Sequence, residues 1–255
     1  MDLTSILPFA VSLFLHVARV GGFFAVTPLF GRQADSAILR VVLSVAVGAI
    51  TWWVGDMTVR PPGHLLALAV MVLREVVIGL ALGFLVAAIM SLVTITGEII
   101  SSEMGFSMAQ VLNPDTGTST TVVAQLLQIL AVLLVFHLDL HHEALRIVGQ
   151  TFVACPVGKP FAIDPLWHGI AAVVGGTVAL AVHYALPVMG VMMLLSTGTV
   201  LIGRAVPSIN MMEFAFALRV LVALGVLGFY LVEGAPYLAG AIQNLLGRAA
   251  EVFGG

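Results

Sequence analysis

Charged side chains are scarce in this chain of 255 residues. Only 9% of the residues are Asp, Glu, Lys or Arg, whereas 60% are hydrophobic. A soluble domain carries about 25% charged residues, so a water-soluble fold is excluded because too few polar groups remain to cover its surface. The single cysteine, Cys155, excludes an internal disulfide. The ten basic residues form no run, which argues against binding to nucleic acid.

Six hydrophobic regions follow one another along the chain and predict an all-α integral membrane protein with long, kinked helices. The first region begins after Asp2 without a basic flank, so it is read as a membrane helix and not as a cleaved signal peptide. Basic residues occur in the loops after most of the regions and do not alternate from one loop to the next, so they do not indicate how the chain is oriented in the membrane. The six regions are 6–26, 37–55, 65–95, 122–138, 166–201 and 214–231.

Two of these regions are too long for a simple membrane span. Region 65–95 would be about 46 Å long as a helix, against a hydrocarbon core of about 30 Å. It must therefore tilt, break or project from the bilayer. Pro187 lies near the middle of region 166–201, where it should kink the helix or split it in two. The longer polar or mixed stretches are 96–121 and 139–165.

Ionisable residues interrupt several apolar regions, where charge is costly and faces protein or a water-filled path. Arg74 and Glu75 are adjacent and point about 100° apart on a helix, so each needs its own partner on another helix. Two readings stand: a path for ions or protons, and a set of inter-helix or inter-subunit pairs. The second is favoured because no regular acidic ladder continues between helices. The interrupting residues are His16, Arg19, Arg74, Glu75, His183 and Arg219.

Metal and catalytic motifs are weak. His137 and His141 have the i,i+4 spacing of a ligand pair, but no Glu follows His137 as the HExxH motif requires. Such a pair is more commonly two histidines at the end of a helix, where that end contacts other protein. No nucleophile–base pair, phosphate-binding loop or pair of catalytic carboxylates is evident. The sequence therefore predicts no enzyme activity, no cofactor and no metal site.

The segment 97–121 mixes Gly, Met, Phe and acidic residues and then becomes rich in Thr, Ser and Gly. Asn113-Pro114 marks a break from helix. Irregular backbone at membrane depth is tolerated only where it is buried in protein or lines an aqueous cavity; otherwise the segment is an exposed connecting loop. Earlier in the chain, Gly79 and Gly83 form a GxxxG match, which predicts close approach of another helix.

The order of several short motifs resembles the FliR/SctT family of type III protein export apparatus subunits. Each motif is weak alone, and their shared order across nearly the whole chain makes the match specific. The motifs are Arg19 with Pro28-Leu-Phe-Gly31; Arg74-Glu75 with Gly79 and Gly83-Phe84; Gly97-Glu98; Met104-Gly105-Phe106; Asn113-Pro114; Phe152 with Pro156 and Gly158; Leu186-Pro187-Val188; and Arg204 with Pro207 and Asn210.

The resemblance implies a FliP-like helical part over residues 1–162, fused to a FliQ-like helical hairpin and tail over residues 163–255. It also implies a function: with FliP- and FliQ-like subunits, and a FlhB-like subunit beside them, the chain forms an export gate. Such a gate passes unfolded flagellar proteins across the bacterial inner membrane at the basal body. Membrane lipid is the other expected contact.

The resemblance further assigns roles to individual residues. The loop that plugs the closed channel corresponds to residues 105–121, with Gly105, Phe106, Met108, Asn113 and Pro114. The hairpin tip corresponds to residues 204–210, with Pro207 and Asn210. Ser208 stands where family members often have Gln, which leaves any specific contact of the tip open. The residues expected in inter-helix or inter-subunit charge pairs are Arg74, Glu75, Glu98, Arg204 and Arg219.

Two alternatives stay open beside this interpretation. A transporter or ion channel working alone would show binding groups at the bilayer midplane and, in many folds, inverted repeats; no repeat is evident in the sequence. The second alternative is the injectisome homologue of the same gate subunit, which the motifs do not distinguish from the flagellar one.

Overall fold

The structure, a computed structural model, describes residues 3–28, 36–55, 58–59, 61–104, 122–159, 163–206 and 211–254. Within these ranges the regular structure consists of α-helices, which confirms the predicted all-α integral membrane fold. The helices are α1 Leu3–Val26, α2 Ser36–Gly55, α3 Leu65–Met104, α4 Val122–His137, α5 Leu140–Ala154, α6 Ile163–Ala205 and α7 Met211–Gly254.

Four of the described helices contain segments that are long and apolar enough to cross a membrane. These segments are Leu7–Val26 in α1, Ala37–Gly55 in α2, Leu65–Met104 in α3 and Leu166–Ala205 in α6. A fifth span forms if the broken pair Gln125–His137 and Leu140–Ala154 counts as one crossing. The chain is therefore a multi-pass membrane protein.

Helix α3 has 40 residues and is about 60 Å long. It continues unbroken past residue 95, where the sequence suggested that a polar stretch begins. Two of the polar residues beyond that point, Thr96 and Ser101, are fully buried, whereas Glu98 and Ser102 are exposed. The Thr96 hydroxyl lies 2.8 Å from the Leu92 carbonyl oxygen and 3.2 Å from that of Ala181. A buried threonine such as Thr96, whose hydroxyl bonds a nearby carbonyl oxygen, is therefore easily mistaken for a loop residue in a hydropathy pattern.

Helix α6 has 43 residues, is about 65 Å long and contains Pro187. The alternative in which this proline splits the region into two helices is wrong, since the helix continues to Ala205. Proline removes one backbone hydrogen bond without ending a long helix when neighbouring groups re-satisfy the freed carbonyl.

Helices α4 and α5 are separated by a sharp break at Leu138 and Asp139. The backbone of Asp139 is left-handed, with φ 54° and ψ 23°, a conformation that Asp tolerates better than most residues. Helix α5 then follows inside the stretch expected to be mixed in character. It is amphipathic, and its buried residues recur at helical spacing: Leu140, Ala144, Ile147, Val148, Thr151 and Phe152.

The chain divides into two compact units, each assembled from separate segments. Unit 1 comprises Met1–Ile89, Asp139–Gly175 and Asn244–Gly255, and unit 2 comprises Met90–Leu138 and Gly176–Gln243. Helices α3, α6 and α7 therefore each contribute residues to both units. The boundary expected near residue 163 refers to similarity with two other proteins, and it stays a prediction.

Within unit 1, α1 and α3 cross at backbone contact. A Cβ atom on Gly22 would lie 2.6 Å from the Val76 carbonyl oxygen, and one on Gly79 would overlap the carbonyl oxygen of Arg19. Gly83 meets the Phe23 carbonyl in the same way. Only glycine allows two helices to approach this closely. The close approach predicted from Gly79 and Gly83 is confirmed, and the partner helix is α1.

Candidate functional site

A buried polar face of α1 starts the candidate site. Ser12, His16 and Arg19 are each completely inaccessible to solvent; their spacing of four and three residues places them on one side of the helix. The Nδ1 atom of His16 lies 2.8 Å from the Ser12 carbonyl oxygen. A membrane-embedded arginine at this depth needs acceptors inside the protein, since neither lipid nor water reaches it.

Glu75 of α3 is the charged partner of Arg19. The Arg19 Nε atom donates a hydrogen bond of 2.7 Å to the Glu75 Oε2 atom, and Nη2 forms an ion pair with the same oxygen. Both side chains are buried, with exposures of 0% and 1%. The two charges neutralise each other where neither could be hydrated.

Helix α5 and the turn after it supply the remaining acceptors of Arg19. Its Nη1 atom donates to the Thr151 carbonyl oxygen at 2.9 Å, and Nη2 donates to the Cys155 carbonyl oxygen at 2.8 Å. The guanidinium carbon lies 4.4 Å from the centroid of the Phe152 ring, a cation–π distance. The same ring stacks on His16, with centroids 4.7 Å apart.

Gly158 completes the site from the other side of Glu75. Its backbone N–H donates to the Glu75 Oε1 atom at 3.3 Å, so both carboxylate oxygens have partners. The φ angle of Gly158 is +82°, which favours glycine. A Cβ at this position would also lie only 3.1 Å from the Met71 methyl carbon and 3.3 Å from a Val59 methyl carbon. The turn therefore depends on glycine for both backbone angle and space.

The arrangement joins α1, α3, α5 and the following turn, and it offers little reactivity. Arg19 and Glu75 are hydrogen-bonded and closed to solvent. Cys155 follows the last residue of α5, and burial raises the pKa of its thiol, which disfavours the reactive thiolate. The geometry is that of a structural connection between helices.

The predicted charge-pair residues are distributed over the molecule. Glu75 lies in the site just described. Arg74 is half-buried, and its Nε atom is buried without a hydrogen-bond partner among the described residues. Glu98 of α3 and Arg204 in the last turn of α6 are both exposed. Arg219 of α7 donates from Nη2 to the Ser196 hydroxyl at 2.9 Å within unit 2.

The predicted plug-loop residues and the hairpin-tip residues Pro207 and Asn210 lie outside the described residues, since residues 105–121 and 207–210 are not among them. The predicted charge pairs do not include Arg19, the centre of the site. Its position among the apolar residues Leu15, Val20 and Phe23 is the available sequence signal. Its partner lies 56 residues further on and is not recognisable from sequence.

A second polar group lies at the start of α5. Asp139, His141 and His142 place one potential ligand atom each within 4.8 Å of one another. His142 Nδ1 lies 3.3 Å from Asp139 Oδ1, and the two imidazole rings have centroids 4.1 Å apart. This group differs from the His137–His141 pair considered from the sequence, because the helix break at Asp139 separates those two residues into different helices.

Comparison with known proteins gives a family and named relatives. The family model described as bacterial export proteins, family 1, matches residues 10–245. The flagellar biosynthetic protein FliR of Caulobacter vibrioides is 31% identical over 218 residues, which cover 85% of this chain and 87% of that protein. The protein of the same name from Bacillus subtilis is 25% identical over 229 residues, 87% and 86% of the two chains.

Proposed function

Because the chain belongs to the bacterial export proteins, family 1, we propose that it is a FliR-type subunit of the flagellar type III export gate. With FliP- and FliQ-like subunits, and a FlhB-like subunit beside them, it forms the channel that passes unfolded proteins across the bacterial inner membrane. The observation that carries this proposal is the family match, which extends over residues 10–245 and so includes segments of both units. The role is structural and conductive, not catalytic.

The exposed surface of α6 supports an assembly with other membrane proteins. Large apolar side chains are exposed from Trp167, at 67%, to Ile202, at 41%, a distance of about 53 Å along the helix. A hydrocarbon core of about 30 Å is much shorter than that length of helix. Part of this apolar surface therefore needs protein to cover it, as further subunits would do.

The buried site favours the gate subunit over a transporter working alone. A transporter needs polar groups that are open to a substrate near the bilayer midplane. Arg19 and Glu75 instead bind each other and backbone groups of unit 1. The pair joins α1, α3 and α5 within unit 1.

The segment 105–121 is proposed to plug the closed channel. This proposal is motivated by the position of the segment in the family pattern, by the helix-breaking sequence Asn113-Pro114 and by the lack of any basic residue. Phe106 and Met108 provide apolar bulk for a seal, while the Gly, Ser and Thr residues beyond Pro114 allow the segment to leave its site at small free-energy cost.

Complementation and co-purification test the proposed subunit role. The chain should restore swimming to a bacterium that lacks its own FliR, provided that the FliP- and FliQ-like subunits from the same source are expressed with it. It should also co-purify with these two proteins from detergent-solubilised membranes. Purification of the chain alone, together with ion flux through vesicles that contain only this chain, would show that the transporter alternative is correct.

Electrical conductance tests the plug. Deleting residues 112–119 should leave the gate assembled but make membranes that contain the idle gate leak small ions. The variant Phe106→Ser/Met108→Ser keeps the length of the loop and should leak because the apolar bulk is lost. Assembled gates of both variants that stay as tight as the unchanged gate would show that the segment is only a connector.

A further inference from the structure

The group formed by Asp139, His141 and His142 carries an inference beyond the export-gate role. It lies in unit 1, where α5 begins after the break in the chain. Asp139 and His142 are exposed and His141 is half-buried, so the three side chains lie at the surface of this chain. Imidazole nitrogens with a carboxylate oxygen form a ligand set that suits divalent transition metals, above all Zn²⁺.

The distances fit such an ion. Two ligand atoms that are each about 2.0–2.1 Å from a tetrahedral Zn²⁺ lie about 3.3–3.4 Å apart. The Asp139 Oδ1 and His142 Nδ1 atoms are 3.3 Å apart. All three ligand atoms lie within 4.8 Å of one another, so no pair has to close by more than roughly 1.5 Å to reach tetrahedral spacing. Rotations of the exposed Asp139 and His142 side chains can supply that movement.

The local backbone leaves the Asp139 carboxylate available for this role. Asp139 occupies the N-cap position of α5, where an Asp side chain usually accepts a hydrogen bond from the first turn. Here its side chain makes no capping hydrogen bond, and it faces His142 instead. The neighbouring acid Glu143 pairs with Arg146 at 3.4 Å. The left-handed conformation of Asp139 thus turns a normal capping residue towards the imidazoles.

We propose that Asp139, His141 and His142 bind one divalent transition-metal ion of the Zn²⁺ class, with water in the fourth position. The bound ion joins the N-cap of α5 to the first turn of that helix. The last turn of the same helix supplies the Thr151 carbonyl oxygen to Arg19. Helix α5 is then anchored at both ends, by the metal at its start and by the guanidinium at its end.

Metal titration of the purified full chain in detergent tests the proposal. The protein is prepared with a histidine-free affinity tag and treated with chelator. Co²⁺ is added first, because its absorption reports the ligand geometry, and Zn²⁺ then competes for the site. We expect one ion per chain with a tetrahedral Co²⁺ spectrum, together with a thermal midpoint that rises with Zn²⁺ concentration, since a ligand that binds only the folded state stabilises it.

Two ligand variants and one control variant test which residues bind the ion. Asp139→Asn and His142→Ala should each weaken Zn²⁺ binding by about tenfold or more, in line with the loss of a metal ligand or its close support. His64→Ala is the matched control, because His64 is also exposed and lies on another segment of unit 1; its Zn²⁺ affinity should be unchanged. Absence of stoichiometric binding, or equal affinities in the control and in both ligand variants, overturns the proposal.

A fourth variant separates this site from the pair that sequence spacing alone suggests. His137→Ala should leave Zn²⁺ affinity unchanged, because His137 ends α4 before the break. If His137→Ala removes binding and Asp139→Asn does not, the ion is held by the i,i+4 pair and the proposed site is wrong.

Discussion

Removing the Arg19 guanidinium should leave the Glu75 carboxylate as an uncompensated charge inside unit 1. Breaking a buried ion pair by truncating one partner costs about 3–5 kcal/mol, and both side chains are at most 1% exposed. The Cys155 carbonyl oxygen also loses its Arg19 donor, at about 1–3 kcal/mol if it stays unsatisfied, whereas the Thr151 carbonyl oxygen keeps the Cys155 N–H as a donor. These terms overlap, so we expect Arg19→Ala to destabilise the fold by at least about 3–5 kcal/mol.

Thermal unfolding of the purified chain in detergent, followed by helical circular dichroism, measures this effect. For chains of this size about 1 kcal/mol corresponds to 2–4 °C, so the midpoint should fall by about 6–20 °C. Arg204→Ala is the matched control, because Arg204 is exposed in the last turn of α6; its midpoint should change little.

The double variant Arg19→Met/Glu75→Met distinguishes a charge effect from simple loss of packing. A buried ion pair replaced by apolar residues of similar volume is often neutral or stabilising, so the double variant should be more stable than Arg19→Ala. The reasoning is refuted if Arg19→Ala unfolds within about 2 °C of the unchanged chain, less than 1 kcal/mol on the same scale. It is refuted equally if the variants Arg19→Met and Glu75→Met show additive effects in a double-mutant cycle.

Three further predictions concern packing, assembly and the hairpin end. Gly79→Ala places a Cβ on the Arg19 carbonyl oxygen and should destabilise the fold by about 1–3 kcal/mol. In the control Gly225→Ala the added Cβ meets no neighbouring side chain or helix within 4 Å, so this variant should unfold at or above the midpoint of the unchanged chain. Equal midpoints for the two variants would contradict the close crossing. Arg74→Ala should lower the yield of complex with the FliP- and FliQ-like subunits, because its buried Nε has no hydrogen-bond partner among the described residues; a normal yield with altered ion selectivity argues for a conducting role instead. Arg204→Glu reverses an exposed charge at the proposed hairpin tip and should reduce export, measured as secreted flagellar protein. Unchanged export would contradict a contact of the tip with another subunit.

The bounds of a helix were predictable where nearly all of its residues are apolar. Region 37–55 corresponds closely to α2, Ser36–Gly55, because that helix is apolar nearly throughout. The end of α3 was not predictable, since Thr96 and Ser101 look like loop residues unless the protein that surrounds them is known. The amphipathic helix α5 was hidden in a stretch of mixed character for the same reason.

The family was predictable, and the site was predictable only in part. The order of motifs from Arg19 to Asn210 predicted the family, and the match over residues 10–245 confirms it. Adjacent positions on a helix indicated that Arg74 and Glu75 point in different directions. The identity of a partner 56 residues away depends on how α1 crosses α3, and backbone acceptors such as the Cys155 carbonyl carry no sequence signal at all.

The glycine contact between α1 and α3 also limits how this part of the protein can transmit force. A piston-like slip of α1 by one helical turn would move it about 5.4 Å along its neighbour, carrying Arg19 away from the Glu75 oxygen that now lies 2.7 Å from its Nε atom. The same slip would push side chains into backbone at Gly22 and Gly79, where even one Cβ does not fit. Sliding between these two helices is therefore blocked twice, by sterics and by charge. Any axial displacement of α1 therefore carries with it the part of α3 that belongs to unit 1.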